Sequence, residues 1–253
     1  MQVKVLGGCA SDSTNYNLTA FLINGHVLFD AGTASSALSF EDLPAITHVV
    51  LTHAHLDHHR DLPFLIDNII GRKDSPLEVV GEQEVIDTVH ENIFNGKIWP
   101  DFSKLPEGNP IVKFRKLAPD QEAVLGELAF KPVLVNHSVP ATGYIVMEND
   151  AAIVFSADTK ATEAIWEEAA RLGERLKAVF MECTFPDRMA DLADRTCHLT
   201  PNTLVRELNK IKGFSGPVYA YHLKAQFRDE IAGELQSLGR NVMAAEDGME
   251  LEI

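Results

Sequence analysis

The sequence lacks long apolar runs and is poor in cysteine. No stretch approaches the roughly 18 consecutive apolar residues from which a membrane-spanning helix is built, so we expect no membrane partner. The three cysteines cannot form a disulfide framework, which favours reduced thiols in a reducing compartment. The first residues alternate like a strand and show no signal-peptide pattern. We therefore expect a cytoplasmic protein.

The sequence is also poor in cationic residues. It has 22 Lys and Arg residues against 37 Asp and Glu residues, which gives a net charge of −15. Phosphate backbones bind to basic patches, so this balance argues against nucleic acid as a partner. The 253 residues are 45% apolar and 23% charged, which is typical of a folded globular chain. A chain of this length buries enough core to need no disulfide or structural metal.

Groups of short strands alternate with helical segments, and no linker rich in Gly, Ser or Pro divides them. We therefore predict one α/β domain over residues 1–253, with two sheets and helices outside. Asn24-Gly25 predicts a hairpin turn, and Thr200 followed by Pro201 predicts a helix start. The predicted strands are 2–6, 17–23, 26–29, 47–52, 111–117, 129–136, 143–147, 152–155, 179–182 and 218–221. The predicted helices are 61–70, 82–95, 161–172, 201–210 and 224–238.

Residues 92–110 break this rhythm, because they carry Phe94, Trp99 and Phe102 among several prolines. We predict an irregular loop there. One interpretation is that the rings cover part of the core. The other is a lid or subunit contact near a functional site.

A dense group of metal-binding side chains follows the apolar strand that ends at Leu51. His53, His55, Asp57 and His58 place four potential ligands in six residues. Imidazole and carboxylate groups suit zinc, manganese or iron. A chance arrangement of this kind after a buried strand is rare, so the spacing predicts a metal site.

Three further candidate ligands, His137, Asp158 and His222, each lie where a predicted strand ends. This repeated position predicts a two-metal site. The predicted ligands are His53, His55 and His137 for one metal and Asp57, His58 and His222 for the other, with Asp158 bridging them. We expect two divalent ions, Zn²⁺ in the first place, with Mn²⁺ or Fe as alternatives.

The His-x-His-x-Asp-His motif and the order of the later ligands resemble the metallo-β-lactamase superfamily over roughly residues 2–250. The resemblance implies a four-layer αββα sandwich with a binuclear site at one sheet edge. Asp61 departs from the pattern, because the family usually has glycine there. This departure leaves the geometry of the local turn open.

Two further matches narrow the class. His53–His58 and the aromatic residues 93–102 resemble class II cyclic-nucleotide phosphodiesterases. Glu182-Cys183-Thr184-Phe185 with His198-Leu199-Thr200 is similar to a pair of motifs in the phosphodiesterase branch, which includes the tRNA 3′-processing endonucleases. The simpler interpretation of Glu182 and His198 is a hydrogen-bonded pair that packs a loop.

We therefore expect a metal-dependent phosphodiesterase that opens 3′,5′-cyclic nucleotides such as cAMP or cGMP to 5′-monophosphates through a metal-bridging hydroxide. His198 would act on the departing oxygen, Glu182 would hold its ring, and Asp57 would contact the hydroxide. The base of the nucleotide would be held by Phe94, Trp99 and Phe102. In one form of this hypothesis these residues reach the base across a homodimer interface. The alternatives are a tRNA 3′-endonuclease or other phosphodiesterase, a thioester or lactam hydrolase, and a nucleotide sensor. Base preference, the physiological metal and any role of His59, Arg60, Cys183 and Cys197 stay open.

Overall fold

Two seven-stranded sheets pack face to face in the computed structural model, which describes residues 1–253. The first sheet contains β1 (Gln2–Gly7), β2 (Ala20–Ile23), β3 (Val27–Phe29), β4 (His48–Val50), β5 (Leu77–Glu82), β6 (Val112–Leu117) and β14 (Glu250–Glu252). The second contains β7 (Ala123–Leu125), β8 (Leu128–Val135), β9 (Ala141–Glu148), β10 (Ala151–Phe155), β11 (Leu176–Glu182), β12 (Val218–Tyr221) and β13 (Val242–Ala244).

The two sheets share one plan, an antiparallel half followed by a parallel half. In the first sheet the order is β14-β1-β2-β3-β4-β5-β6, and the pairs are parallel from β3 onward. In the second the order is β13-β12-β11-β10-β9-β8-β7, and β10 to β13 are parallel. Because parallel strands end at the same edge, side chains that follow them gather there.

The helices cover the outer faces of the sheets. They are α1 (Leu62–Asn68), α2 (Gln83–Asn92), α3 (Ala164–Arg171), α4 (Ala190–Arg195), α5 (Pro201–Leu208) and α6 (Arg228–Ser237). Buried side chains of α1 and α2 pack on the first sheet, and those of α3, α5 and α6 pack on the second. The predicted four-layer αββα sandwich is confirmed. No helix has both the length and the apolar character that crossing a membrane requires.

An aromatic layer fills the space between the sheets. Phe29 of the first sheet stacks on Phe155 of the second at 4.2 Å between ring centroids, and Phe155 stacks on Phe180 at 4.5 Å. All three side chains are fully buried. The shared layer supports our proposal of a single domain over residues 1–253.

Most predicted elements lie within a few residues of the observed ones. Asn24 and Gly25 have φ values of 48° and 74°, which these two residue types tolerate in a hairpin turn. Thr200 caps α5, and its backbone N–H donates to the Thr203 hydroxyl at 2.7 Å. The prediction missed β5, β7, β13, β14 and α4. Three of those strands have only three residues, too few to show alternation.

Replacing Phe155 with alanine should destabilise the protein by about 3–5 kcal/mol, since both stacking partners would face a cavity. Urea denaturation of the full chain measures the change. Val124→Ala is the matched control, because Val124 is 64% exposed on β7. Equal losses in the two variants would contradict the assigned role of the aromatic layer.

Candidate metal centre

The motif residues leave β4 at the edge where the two sheets meet. The backbone N–H of Thr142, on β9, donates to the Thr52 carbonyl at 3.0 Å and ties the second sheet to this exit. His55 has extended backbone, and Leu56–His58 form a short 3₁₀ turn. His53 and His58 are fully buried. The path of the chain after β4 therefore directs His53 and His58 into the protein interior.

The three downstream candidates reach the same edge from the second sheet. His137 lies two residues after β8, Asp158 three residues after β10, and His222 directly after β12. Asp158 and His222 are buried, and His137 is half-buried. The structure thus brings together all seven side chains that the sequence predicts as ligands.

These side chains form two neighbouring groups. In the first group, His55 Nδ1 lies 3.2 Å from His137 Nε2, and the ligand atoms of His53, His55 and His137 all lie within 4.8 Å of one another. The second group places Asp57 Oδ2 at 3.2 Å from His222 Nε2 and at 4.0 Å from His58 Nε2. Each group can hold one metal ion.

Asp158 lies between the two groups. Its Oδ2 atom is 3.2 Å from His222 Nε2, 3.3 Å from His58 Nε2 and 3.7 Å from His53 Nε2. Asp158 Oδ1, His53 Nε2 and His58 Nε2 are buried without any hydrogen-bond partner. Buried polar atoms without partners are costly, and a divalent cation would satisfy these. The residues present therefore fit a metal ion.

Hydrogen bonds behind the ligands fix the orientation of their rings. His58 Nδ1 donates to Asp30 Oδ2 at 2.7 Å, and Asp30 also accepts from the backbone N–H and hydroxyl of Thr52, both at 2.9 Å. His137 Nδ1 donates to the Cys197 carbonyl at 3.1 Å. In the neutral form of either ring, the proton on Nδ1 leaves the lone pair of Nε2 for a metal ion.

Thr184 links one candidate ligand to the predicted catalytic pair. Its hydroxyl donates to Glu182 Oε2 at 3.0 Å and accepts from Nδ1 of His222 at 3.0 Å and of His198 at 3.1 Å. His198 Nδ1 also lies 3.1 Å from Glu182 Oε1. The predicted Glu182–His198 pair is therefore present beside the candidate metal ligands, and Glu182 is fully buried.

Burial and neighbouring charges give the histidines different protonation states. Burial lowers the pKa of His53 and His55, and that of His137 to about 4, so these rings are neutral at pH 7. Burial opposes the charge on His198 as well, but the Glu182 carboxylate outweighs it and raises the pKa. Asp158 and Asp30 likewise raise the pKa of His58 against its burial. Metal binding would therefore displace a proton from His58.

The sequence analysis assigned no role to Asp30 or to Thr184, although Thr184 lies in the motif that begins at Glu182. Asp30 directly follows β3, so the strand-end rule that found the ligands could have found it. Its φ is 55°, and Ala157 and His222 at the same edge also have positive values, of 55° and 62°. Non-glycine residues with positive φ are uncommon, and such strained backbone is often found at functional sites.

The aromatic segment lies mostly away from a ligand-accessible surface. Phe94 and Phe102 are buried in the core beneath α1 and α2, so they present no face to a nucleotide. Their predicted substrate contact needs correction, because the irregular loop turns these rings inward to cover the sheet. Trp99 is half-buried and packs on Phe64 at 5.3 Å between ring centroids. Its role stays a prediction.

Residues in and next to the motif make contacts within the protein. Asp61 has φ −85°, a conformation open to any residue, so this turn needs no glycine. Its carboxylate accepts from the backbone N–H groups of Ala34 and Ser35 at 3.0 and 3.1 Å.

Arg60 forms ion pairs with Asp61 and Asp12. His59 Nε2 donates to the Ala54 carbonyl at 3.2 Å. Cys183 is buried, and burial raises the pKa of its thiol.

Comparison with known proteins identifies the family. The family described as "Beta-lactamase superfamily domain" matches residues 26–222. The chain belongs to this superfamily.

Particular relatives carry narrower names. A probable 3′,5′-cyclic-nucleotide phosphodiesterase of Yersinia pestis is 27% identical over 210 residues, which cover 73% of this chain and 59% of the relative. The 3′,5′-cyclic-nucleotide phosphodiesterase of Aliivibrio fischeri is 26% identical over 244 residues, 79% of this chain and 72% of the relative. The crystal structure of unliganded yeast PDE1 superposes with a TM-score of 0.85 at 19% identity, covering 100% of this chain and 99% of that one. This chain covers only 59% of the length of the Yersinia relative.

Asp30→Asn should weaken metal binding by about 10- to 100-fold, since an amide orients His58 less firmly than a carboxylate. Competition of the full chain with a zinc chelator measures the affinity. Asp74→Asn changes an exposed carboxylate far from these contacts and serves as the control. Unchanged affinity in Asp30→Asn would contradict the orienting role.

Proposed function

We propose that the protein is a two-metal phosphodiesterase that hydrolyses 3′,5′-cyclic nucleotides to 5′-monophosphates. One observation carries the proposal: two groups of ligands converge on Asp158, with the Glu182–His198 pair beside them. The names of the curated relatives support the same substrate class.

His53, His55 and His137 would hold one metal ion, and Asp57, His58 and His222 the other, with Asp158 reaching both. The donor set of imidazoles and carboxylates suits Zn²⁺ first, with Mn²⁺ and Fe as alternatives. When bound, two divalent ions supply an activated water at neutral pH and shield the charge of the phosphate.

His198 would donate a proton to the departing 3′ oxygen. The Glu182 carboxylate raises the pKa of His198 and so favours the cationic ring, with the other ring nitrogen left for the substrate. Asp57 is partly exposed beside His222, and we propose that it also orients the attacking water. A lactam or thioester hydrolase would need neither His198 nor Glu182 in these positions.

The net charge of −15 supports a small substrate. A cyclic nucleotide meets only the local field of the metal site, whereas a tRNA would meet the whole acidic surface. We also keep a cytoplasmic location and a homodimer as proposals. The three free cysteines agree with a reducing compartment.

A hydrolysis panel on one metal-analysed preparation tests the proposal. The substrates are cAMP, cGMP, bis-(4-nitrophenyl) phosphate, a tRNA precursor and nitrocefin. We expect metal-dependent conversion of a cyclic nucleotide to its 5′-monophosphate. Cleavage of only the tRNA precursor or only nitrocefin would overturn the proposed substrate.

Asp158→Ala should lose at least one metal ion per chain and nearly all activity, because the variant removes the carboxylate that both groups share. Elemental analysis measures the metal content. Asp150→Ala, at an exposed turn, should keep both. Full metal content with intact activity in Asp158→Ala would refute the bridging assignment.

His198→Ala should keep its metals and lose about 10²–10⁴-fold in turnover of cyclic nucleotides. Because the cationic ring is the active form, wild-type turnover should fall as pH rises through the raised pKa of His198, and the variant should lack this limb. A nitrophenolate leaving group needs less protonation, so the rate of hydrolysis of bis-(4-nitrophenyl) phosphate should fall less than that of cyclic nucleotides. Equal losses on both substrates would speak against proton donation.

Trp99→Ala should raise KM for cyclic nucleotides by about tenfold if its ring stacks on the base. Hydrolysis of bis-(4-nitrophenyl) phosphate, which has no base, should stay nearly unchanged. A lower melting temperature with equal losses on both substrates would instead identify Trp99 as a packing or dimer residue.

A further inference from the structure

Thr184 is a fully buried residue whose hydroxyl contacts both parts of the proposed site. The hydroxyl oxygen lies 3.0 Å from Nδ1 of His222, a proposed metal ligand, and 3.1 Å from Nδ1 of His198, the proposed proton donor. It also lies 3.0 Å from Glu182 Oε2. The hydroxyl thus has three partners and a single hydrogen to donate to one of them.

The Glu182 carboxylate determines which partner receives this hydrogen. A carboxylate only accepts hydrogen bonds, and Glu182 Oε1 accepts from the backbone N–H groups of Thr159 and Leu199 at 3.2 and 3.1 Å. The Thr184 hydroxyl therefore donates to Glu182 Oε2 and can only accept from the two imidazoles. Nδ1 of each imidazole must then carry a hydrogen. In His198 this hydrogen is present whether the ring is neutral or cationic.

The two rings face the candidate metal centre on the side away from the hydroxyl. His222 Nε2 lies 3.2 Å from a carboxylate oxygen of Asp57 and 3.2 Å from one of Asp158. The ring of His198 lies nearly parallel to that of His222, at 22° and 5.3 Å between ring centroids. A nitrogen of His198 lies within 4.8 Å of a carboxylate oxygen of Asp158. With Nδ1 of both rings bound to Thr184, Nε2 is the nitrogen left for the site.

The backbone of Thr184 holds the hydroxyl between the two segments that carry these histidines. Its N–H donates to the carbonyl of Leu199, the residue after His198, at 3.1 Å. Its carbonyl accepts from the N–H of Lys224, two residues after His222, at 3.2 Å. A threonine side chain is also restricted about its first torsion angle. The position of the hydroxyl is therefore fixed relative to both rings.

We propose that Thr184 is a positioning residue that sets the tautomer and the orientation of His222 and His198 together. His222 would present Nε2 to a metal ion, and His198 would present Nε2 to the departing oxygen of the substrate. The inference rests on the proposed function, because it deepens the roles that this function gives to the two histidines. One hydroxyl would then couple metal binding to proton donation.

The experiment uses the zinc-loaded full chain and a set of matched variants. Thr184→Val keeps nearly the same shape and removes the hydroxyl, whereas Thr184→Ser keeps the hydroxyl and removes a methyl group. Thr184→Ala takes the place of Thr184→Val if the valine variant does not fold. Thr19→Val is the control, because Thr19 is equally buried and its hydroxyl has no hydrogen-bond partner.

Two readouts need no substrate: imidazole ¹H–¹⁵N NMR spectra and zinc affinity from competition with a chelator. We expect the Nδ1–H resonances of His198 and His222 to shift or disappear in Thr184→Val and to persist in Thr184→Ser. Zinc affinity should fall by about 10- to 100-fold in Thr184→Val, and Thr184→Ser and Thr19→Val should stay near the wild type. Unchanged spectra and affinity in Thr184→Val would overturn the proposal. Equal losses in the valine and serine variants would also overturn it, because they would point to packing.

Turnover of cAMP at saturating zinc tests the link to His198. Thr184→Val should lower kcat by about 10- to 100-fold. In a His198→Ala background the same substitution should cost little more, since the ring that it positions is already gone. Losses that multiply fully in the double variant would show that Thr184 does not act through His198.

Failure of this inference can be told apart from failure of the proposed function. If the wild type hydrolyses cyclic nucleotides and Thr184→Val equals it in turnover, spectra and zinc affinity, only the role of Thr184 fails. If the wild type cleaves no cyclic nucleotide, the proposed function fails. The NMR spectra and the zinc affinity of Thr184→Val then still support or reject the positioning of the two rings.

Discussion

The buried carboxylate of Asp158 is the group on which the arrangement of the site depends. It lies within 3.7 Å of three imidazole nitrogens that come from both sheets. A charge in such a position is costly unless opposite charge compensates it. Burial disfavours the carboxylate anion, yet His222 and His58 hold the pKa of Asp158 well below its usual range. The position of this carboxylate thus favours cations at the centre of the site. The sandwich fold brings the ends of strands from both sheets to the edge where these cations would bind.

The convergence of the candidate ligands could be predicted because it follows a simple rule of chain geometry. His53, Asp158 and His222 all follow strands whose ends meet at one edge, and the dense His-x-His-x-Asp-His spacing marks the edge on the sequence. The supporting residues carry a weaker mark on the sequence. Asp30 is a lone aspartate after a three-residue strand, and Thr184 acts through a hydroxyl whose partners are distant in sequence.

The fold was predictable where strands and helices are long enough to show a period. The four layers follow from grouped strands with helices between them, but β13 and β14 are too short to alternate. The aromatic segment has no period at all, so composition could not tell rings that face a ligand from rings that face the core. Phe94 proved to be a core residue, because the loop folds back over the first sheet.

The most direct test of the two-metal account is an anomalous-scattering map from crystals of the full chain grown with zinc. The account predicts two peaks about 3.5–4 Å apart, one beside His53, His55 and His137 and one beside Asp57, His58 and His222, with Asp158 between them. A single peak, or peaks away from this cluster, would contradict it.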